Sequence, residues 1–187
     1  MPKENLSDKE YIKAFENWEE CLVNRRIKEK SKKALYNEIE GNHIQIGILE
    51  GIEGKVSSKY LSSKALRKIL TDKELNQNLN SQDSGIKYQS FLAIAERKSQ
   101  DVFKTLKTIV SDTTKVEIQE GCIVEEITLS DLCINTVTEI YHYNYGEGYI
   151  PNQYQLNKEE KKELDELVLN LNFELDYKKY LVKKKDK

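Results

Sequence analysis

Few side chains in this sequence have the chemistry that catalysis requires. The 187-residue chain contains two histidines, His43 and His142, and neither belongs to a recognisable catalytic motif. A serine or cysteine nucleophile needs a base beside it, so the supply of bases limits nucleophilic catalysis. Neighbouring acids such as Glu125 and Glu126 point in different directions on a helix or strand and do not form a carboxylate dyad. The sequence therefore favours a protein that is not an enzyme.

The three cysteines follow neither a metal-binding nor a disulfide pattern. Cys21, Cys122 and Cys133 are odd in number and widely spaced, and no Cys-x-x-Cys motif occurs. A zinc site built from Cys122, Cys133 and His142 would need a fourth ligand from elsewhere in the chain. We therefore expect no metal and no cofactor. Free thiols suit a reducing compartment, which favours a cytoplasmic location.

One short motif of acids and a lysine lies in a glycine-rich stretch. Glu53-Gly54-Lys55, with Glu38 and Glu40 upstream, resembles the carboxylate–carboxylate–lysine arrangement of the PD-(D/E)xK nucleases. The resemblance implies a metal-dependent nuclease, in which the acids bind a divalent metal and the lysine lies near the attacking water. The upstream Pro-Asp pair of these nucleases is missing here, and short Glu-x-Lys matches are common in a chain rich in both residues.

The densest run of positive charge lies in the first predicted helix. Its Lys and Arg side chains are Arg25, Arg26, Lys28, Lys30, Lys32 and Lys33. Such charge can contact phosphates without regard to base sequence. At about 100° per residue it spreads over more than half of the helix circumference, which is also typical of an ordinary solvated face. Nucleic-acid binding through Arg25, Arg26, Lys28 and Lys30 is therefore an alternative hypothesis.

The main positive indication of a binding surface is an acidic stretch that is rich in tyrosine. Residues 115–151 carry one Lys against seven Asp or Glu, a balance of −6. Tyrosines offer a large contact area with few rotors to immobilise, and carboxylates can orient a basic partner before contact. Bases of nucleic acid would need nearby cations, which this stretch lacks. We therefore predict that the partner is another protein.

The tyrosines of this stretch divide between core and surface. Tyr141 and Tyr145 continue the helical face of Val137, so we expect them to point into the core. The predicted partner-binding residues are the other tyrosines and two of the acids, namely Tyr143, Tyr149, Tyr154, Glu125 and Glu147.

The elements that would position these residues are mostly helical. Between Gly85 and Asp112, apolar residues recur at alternating steps of three and four, the spacing of one helical face. The stripe consists of Tyr88, Leu92, Ala95, Ser99, Val102, Leu106 and Ile109. We therefore predict a central helix over about 86–110, around which the other helices pack. We expect Leu92, Phe103 and Leu106 to be buried.

Other helices are predicted from capping signals and apolar periodicity. A first helix is expected over 8–40, and Gly41 ends it because glycine accepts the left-handed cap conformation. Thr71, with an acid three residues later, and Asn157 are start signals of two later helices. The lysine-rich tail over 183–187 is expected to fray.

Two stretches have the alternation of β-strands. Residues 115–129 alternate apolar and polar side chains on both sides of a turn, which predicts a β-hairpin. The stretch 42–56 is ambiguous. Ile44, Ile46 and Ile48 alternate as in a strand, whereas Ile44, Ile48 and Ile52 recur every four residues, as in a helix. We favour a helix there.

The predicted fold is mainly α, a single-domain multi-helix bundle over 1–187 with one β-hairpin. Apolar residues make up 38% of the chain and charged residues 33%, as in a soluble protein with a charged surface. No run of about 18 apolar residues occurs, so no membrane span is expected. The predicted function is that of a non-enzymatic macromolecule-binding protein, such as an adaptor, an inhibitor or a small subunit of a complex. Nucleic-acid binding and metal-dependent nuclease activity are the alternatives.

Overall fold

The structure is a computed structural model that describes residues 8–138 and 154–185. The helices of these residues are α1 (Asp8–Glu29), α2 (Lys32–Ile39), α3 (Ser58–Ile69), α4 (Asp72–Asn78), α5 (Ser84–Glu96), α6 (Val102–Ile109), α7 (Leu129–Thr138), α8 (Lys158–Leu169) and α9 (Asp176–Lys185). The strands are β1 (His43–Glu50), β2 (Lys55–Val56), β3 (Lys115–Gly121) and β4 (Ile123–Thr128). The fold is mainly α with a small β element, as predicted.

The four strands form one sheet in the order β2-β1-β3-β4. β3 and β4 pair antiparallel, from Lys115 with Thr128 to Glu120 with Ile123, which confirms the predicted hairpin. Its turn places Gly121 at a φ of 58°, a conformation that glycine adopts without steric cost. β1 pairs antiparallel with β2 and parallel with β3, so the sheet is mixed.

The prediction of a helix over 42–56 is wrong. β1 and β2 occupy this stretch, and the turn between them contains Gly51 and Gly54 at φ values of 67° and 63°. Ile44 is buried and pairs with Ile118 of β3. That partner comes from the second half of the chain, so the periodicity of the local sequence carries no sign of it.

The predicted central helix over 86–110 is wrong in its continuity, since α5 and α6 are separate helices. Between them Lys98 adopts a φ of 51°. Arg97 binds the last turn of α3, where its Nη2 donates to the carbonyls of Arg67 at 2.8 Å and Leu70 at 2.6 Å. These bonds satisfy carbonyls that a helix end leaves without partners. The break between α5 and α6 therefore coincides with a contact to a segment about 30 residues earlier in the chain. The sequence between the two helices contains no glycine or proline that would predict the break.

The two helices nevertheless occupy the centre of the molecule. Phe91 of α5 and Leu106 of α6 are fully buried, and Phe103 is buried beside them. The expected burial of Leu92 is only partial, because this side chain lies at the edge of the core. One cluster of buried apolar side chains extends from Val23 in α1 to Leu181 in α9 and includes the inner face of the sheet.

Capping residues set several of the helix boundaries. The helix predicted over 8–40 is divided, because the Ser31 hydroxyl accepts a hydrogen bond from Ala34 N at 3.2 Å and begins α2. The predicted start signals at Thr71 and Asn157 are confirmed as capping boxes with Glu74 and Glu160.

The last helix has an unusual start that involves a buried carboxylate. Asp131, in α7, accepts hydrogen bonds from the backbone N of Asp176 at 3.1 Å and of Tyr177 at 3.0 Å. Its Oδ2 also accepts from Thr128 Oγ1 at 2.8 Å. α9 then continues to Lys185, so part of the lysine-rich tail is helical, and the fraying of 183–187 stays a prediction.

Candidate protein-binding surface

The predicted tyrosine-rich surface is described only in part. Tyr143, Tyr149 and Glu147 lie outside the described residues, as do Tyr141 and Tyr145. Tyr154 and Glu125 are the two predicted partner-binding residues that the structure describes.

Tyr154 is half-buried, not exposed as predicted, because its ring packs against the core. Its backbone N donates to Ala95 O at 2.9 Å, and its hydroxyl donates to Glu160 Oε2 at 2.7 Å. Burial, together with the Glu160 carboxylate, raises the pKa of Tyr154 to about 12. Tyr154 therefore joins α8 to the end of α5.

Glu125 lies elsewhere in the fold, in the edge strand β4, where it is exposed as the prediction requires. The segment that follows Tyr154 is held at the far end of α7, where Leu156 N donates to Val137 O at 3.1 Å. Glu125 precedes α7, whereas Val137 is near its end. The structure thus does not bring Glu125 and Tyr154 into one site.

A cluster of exposed apolar side chains lies at the end of the sheet where Glu125 is found. Glu50 pairs with Gly121, and Gly51 N donates to Gly121 O at 2.9 Å, so the turns of the two hairpins lie side by side. Ile52 is 96% exposed and Val124 is 53% exposed. We call this surface the hairpin end, and its members are Leu49, Ile52, Val56, Ile123 and Val124.

Acidic residues surround the hairpin end. β3 and β4 together contain four glutamates, Glu117, Glu120, Glu125 and Glu126, against the single Lys115. Lys115 lies 3.6 Å from Glu126, and both side chains are exposed. Glu120 is partly buried, and this burial raises the pKa of its carboxyl group. None of the ion pairs formed among the described residues involves Glu120. The hairpin end is thus apolar at its tips and negative around them.

The sequence carries a signal for this surface that apolar periodicity does not reveal. Ile52 occurs between Gly51 and Gly54, and Ile123 follows Gly121 closely, so both are apolar residues beside glycine turns. Turns face solvent, and a large aliphatic side chain there has no core to enter. The four-residue spacing of Ile52 from Ile48 predicts a buried helical face instead, and that prediction is wrong.

A second apolar stripe, only partly exposed, follows α1. Tyr11, Phe15, Trp18 and Leu22 recur at helical spacing, and the rings of Phe15 and Trp18 lie 5.6 Å apart, centroid to centroid. Trp18 is 41% exposed and Tyr11 65%. The packed face beside this stripe carries the buried Glu19, which forms an ion pair with Lys64 of α3 at 2.5 Å. This stripe lies on one helix, unlike the hairpin end, which two distant segments build.

The basic run is largely paired with carboxylates. Arg25 lies 2.7 Å from Glu29, and Arg26 is bound to Glu38 in a partly buried ion pair. Lys30 lies 3.3 Å from the same Glu38 carboxylate. Burial alone would raise the pKa of Glu38, but hydrogen bonds from Ser62 and Arg26 outweigh it and lower the pKa. Of the four predicted contacts to nucleic acid, Lys28 has no such ion pair with a described residue.

The residues of the predicted nuclease motif do not converge. Glu53 and Lys55 bind each other at 2.7 Å in the exposed turn between β1 and β2. Glu38 is occupied by Arg26 and Ser62 at the junction of α1, α2 and α3. Within 8–138 and 154–185, no group of three His, Cys, Asp or Glu side chains is arranged to hold a metal ion. Glu38 and Glu53 are thus bound to different cations in separate parts of the fold.

Comparisons with known proteins characterise the fold. No protein-family model and no curated protein matches this chain. Among solved structures, the chain is similar to a chain in the crystal structure of the Snu23–Prp38–MFAP1(217–258) complex of Chaetomium thermophilum, with a TM-score of 0.51. The two chains are 12% identical, and the similarity covers 81% of each. The helices of the described residues include none with the length and apolar character needed to cross a membrane.

Proposed function

We propose that this protein is a non-enzymatic subunit or adaptor that binds another protein through the hairpin end. The observation that carries the proposal is the exposure of Ile52, in the turn between β1 and β2, and of Val124, near the start of β4 beside the neighbouring turn. Single exposed apolar residues are ordinary, but several of them at one end of a sheet indicate an interaction surface. Two hairpins that are far apart in sequence contribute to the group, so the tertiary fold is needed to assemble it.

The charge around the hairpin end supports the same function. Protein interfaces combine an apolar centre with a polar rim, and a rim of one sign selects partners of the opposite sign. In this proposal the exposed Glu125 and Glu126 supply such a rim, and the partner-binding role of Glu125 stays a prediction. The partner surface is therefore basic as well as apolar. The contributions of Tyr143, Tyr149 and Glu147 to this surface stay predictions.

The comparison with solved structures supports the proposal at a coarser level. The similar chain belongs to a crystallised complex of Snu23, Prp38 and an MFAP1 fragment, so a related fold occurs in a multiprotein assembly. The inhibitor and adaptor roles differ only in the consequence of binding, and both require the surface proposed here.

The proposal is tested by comparing what two variants retain from an extract of the native host. The full chain with I52D and V124D introduces charges into the hairpin end, whereas R25Q with K28Q alters exposed cations of α1. The wild type and the α1 variant should retain the same protein partner. The I52D/V124D variant should bind it at least about 30-fold more weakly, since central interface residues contribute about 2 kcal/mol or more.

Stability measurements make this comparison interpretable. Ile52 and Val124 are exposed, so the two substitutions should lower the free energy of unfolding by about 1 kcal/mol, mainly because Asp is unfavourable in the strand at position 124. Retention of the partner by a folded I52D/V124D variant would contradict the proposal. If wild type instead retains nucleic acid that salt releases, and R25Q/K28Q loses it, the nucleic-acid hypothesis replaces the present one.

A further inference from the structure

β4 is an edge strand whose outer side has the geometry to accept another strand. Next to the β3–β4 hairpin, Leu129 N donates to Thr114 O at 2.9 Å, so the backbone groups of Leu129 face the β3 side. In an antiparallel pair every second residue faces the partner strand, so Glu125 and Ile123 also direct their N–H and C=O groups to β3. Val124 and Glu126 therefore direct their N–H and C=O groups away from the sheet.

The outward backbone groups of β4 have no backbone hydrogen bond to any described residue. β4 ends the strand order, and Ile123, Val124, Glu125 and Glu126 are all exposed. An edge with free N–H and C=O groups is a template for an added strand. Strand addition supplies affinity through the backbone and specificity through the side chains on the two faces.

The side chains of β4 define what an added strand must carry. Successive residues of a strand point to opposite faces, so Ile123 and Glu125 share one face, and Val124 and Glu126 share the other. Each face thus offers one apolar and one acidic neighbour to a strand beside it. Directly opposed pairs of apolar residues, or of opposite charges, stabilise a sheet, whereas like charges destabilise it.

The neighbouring strand adds to this negative charge. Glu120 pairs across the ladder with Ile123 and has no ion pair among the described residues. Its Cγ would lie 3.2 Å from a Cβ placed on Gly47, so it packs closely over β1. A partly buried carboxylate without a cation is costly, and a cation brought by a partner would remove that cost.

We propose that β4 binds an extended segment of a partner protein that carries two adjacent basic residues next to two adjacent apolar residues. In an antiparallel arrangement the basic pair lies opposite Glu126 and Glu125, and the apolar pair lies opposite Val124 and Ile123. The inference rests on the proposed function and specifies the chemistry of the partner. Glu126 already forms an exposed ion pair with Lys115, and replacing Lys115 by a cation of the partner costs little free energy because exposed ion pairs are weak.

A second copy of this chain does not fit the edge. Val124 and Glu126 direct their backbone groups outward, so two antiparallel β4 edges must oppose these residues to one another. Pairing centred on Val124 places Val124 opposite its own copy but Ile123 opposite Glu125, and pairing centred on Glu125 places Glu125 opposite Glu125 and Val124 opposite Glu126. Pairing centred on Glu126 places the two Glu126 carboxylates opposite each other. Each register opposes an acid to an apolar residue or to another acid, which disfavours self-association.

The experiment uses two labelled ten-residue peptides as probes, each with three threonines at either end. One has Lys-Arg-Val-Ile at its centre, and the reverse, Ile-Val-Arg-Lys, serves the parallel orientation. Controls replace Lys-Arg by Glu-Glu. Titration with the full chain, followed by fluorescence anisotropy, should show that at least one basic peptide binds ten-fold or more tightly than its acidic control.

Two variants of the chain test the geometry. E125K/E126K should reverse the preference between basic and acidic peptides. V124P removes the outward N–H of β4 without touching the bonds to β3, so it should abolish peptide binding while the thermal melt shows a folded protein. Equal binding of the basic and acidic peptides, undetectable binding of both, or unchanged binding to folded V124P would overturn the inference.

The outcome separates this inference from the proposed function. If I52D/V124D loses the native partner but the peptides show no charge preference, the hairpin end binds proteins by another mode and only the inference fails. If I52D/V124D keeps the native partner, the proposed function fails independently of the peptides.

Discussion

At the scale of single residues, the buried carboxylate of Asp131 has the largest structural role. It accepts the first free N–H groups of α9 from a different helix, so it acts as an N-cap that is distant in sequence. The hydroxyl of Thr128 donates to the same carboxylate, which completes its hydrogen bonding. The junction of β4, α7 and α9 therefore depends on one side chain.

We predict that D131A lowers the free energy of unfolding by about 2–3 kcal/mol, because it removes charge-assisted hydrogen bonds and leaves buried N–H groups without acceptors. Urea denaturation measures the loss. The matched control is D176N, since Asp176 is a half-exposed acid in the first turn of α9 and should contribute less than about 1 kcal/mol. Equal effects of the two substitutions would show that Asp131 does not cap the helix.

Asn135 in α7 gives a prediction of the opposite sign. Both polar atoms of its side chain are buried and have no hydrogen-bond partner among residues 8–138 and 154–185. Replacing an unsatisfied buried amide by an apolar group of similar size removes a desolvation penalty. N135L should therefore leave the melting temperature unchanged or raise it, by up to about 1 kcal/mol in stability. A clear drop in melting temperature would indicate that this amide has a partner in the native protein.

For single residues of the site, the sequence predicts exposure correctly only where the charge of the side chain decides it. Glu125 is an exposed acid, as its charge requires. Ile52 is mispredicted because its spacing from Ile48 matches a helical face, although it lies in a turn. The sequence predicts that Tyr154 is exposed, but its backbone N donates to Ala95 O and its ring packs against the core. The local glycines Gly51 and Gly54 thus decide the position of Ile52, whereas a contact distant in the chain accompanies the partial burial of Tyr154.

At the scale of elements, local features are predictable from the sequence, whereas contacts between distant elements are not. The β3–β4 hairpin and the capping boxes at Thr71 and Asn157 depend on residues within a few positions of one another, and all three are confirmed. β1 depends on parallel pairing with β3, and the end of α5 is marked by the bonds of Arg97 to α3. These features depend on segments that lie far away in the chain.

The start of α5 provides a test of close packing between elements. Gly85 N donates to Gly41 O at 2.9 Å, and a Cβ on Gly85 would lie 2.4 Å from Ile39 O and 2.8 Å from Gly41 O. Both atoms belong to the backbone, so they cannot move aside as a flexible side chain can. We predict that G85A costs about 1–3 kcal/mol of stability, in the range of overpacked sites.

The control for this prediction is G54A. Gly54 has a φ of 63° and nothing within 4 Å of the added Cβ, so alanine there meets only the backbone penalty of about 1 kcal/mol. Thermal melts of both variants give the comparison. If G85A melts at or above the temperature of G54A, the close approach of α5 to the turn at Gly41 is not present in the native protein.

At the scale of the whole molecule, several carboxylates tie the helices together and should make stability depend on pH. Burial opposes ionisation of Asp112, but hydrogen bonds from Lys87 and Thr114 outweigh it and lower its pKa. The pKa of Glu38 is lowered in the same manner, by Ser62 and Arg26. Hydrogen bonds from Lys32, and then from Thr71, lower the pKa of Glu74 to about 2.

These shifts fix the sign of the pH effect. An acid whose pKa is lower in the folded state contributes stability that is complete above its unfolded pKa and is lost as the pH falls through the folded value. The ordinary values are 4.5 for Glu38 and Glu74 and 3.8 for Asp112. We predict that urea midpoints decrease steadily as the pH falls below about 4.5. Glu120 acts in the opposite direction, because burial raises its pKa.

The variant E38Q separates this contribution from general acid denaturation. It should be less stable than the wild type at neutral pH, because Arg26 loses a charged partner, and its midpoint should fall less steeply on acidification. Identical slopes for E38Q and wild type would assign the acid sensitivity to other carboxylates.

The parallel pairing of β1 with β3 has a consequence for the order in which the protein takes shape. His43 Nε2 lies 2.9 Å from Gln119 Oε1, across 76 positions of the chain. A ribosome adding about 5–20 residues per second therefore exposes β1 for roughly 4–15 s before the segment that pairs with it exists. The helices α1 to α4 can form early in synthesis, but the four-stranded sheet forms only after the β3–β4 hairpin has been synthesised. The same event creates the hairpin end, so a partner that binds there recognises only chains whose synthesis has passed this point.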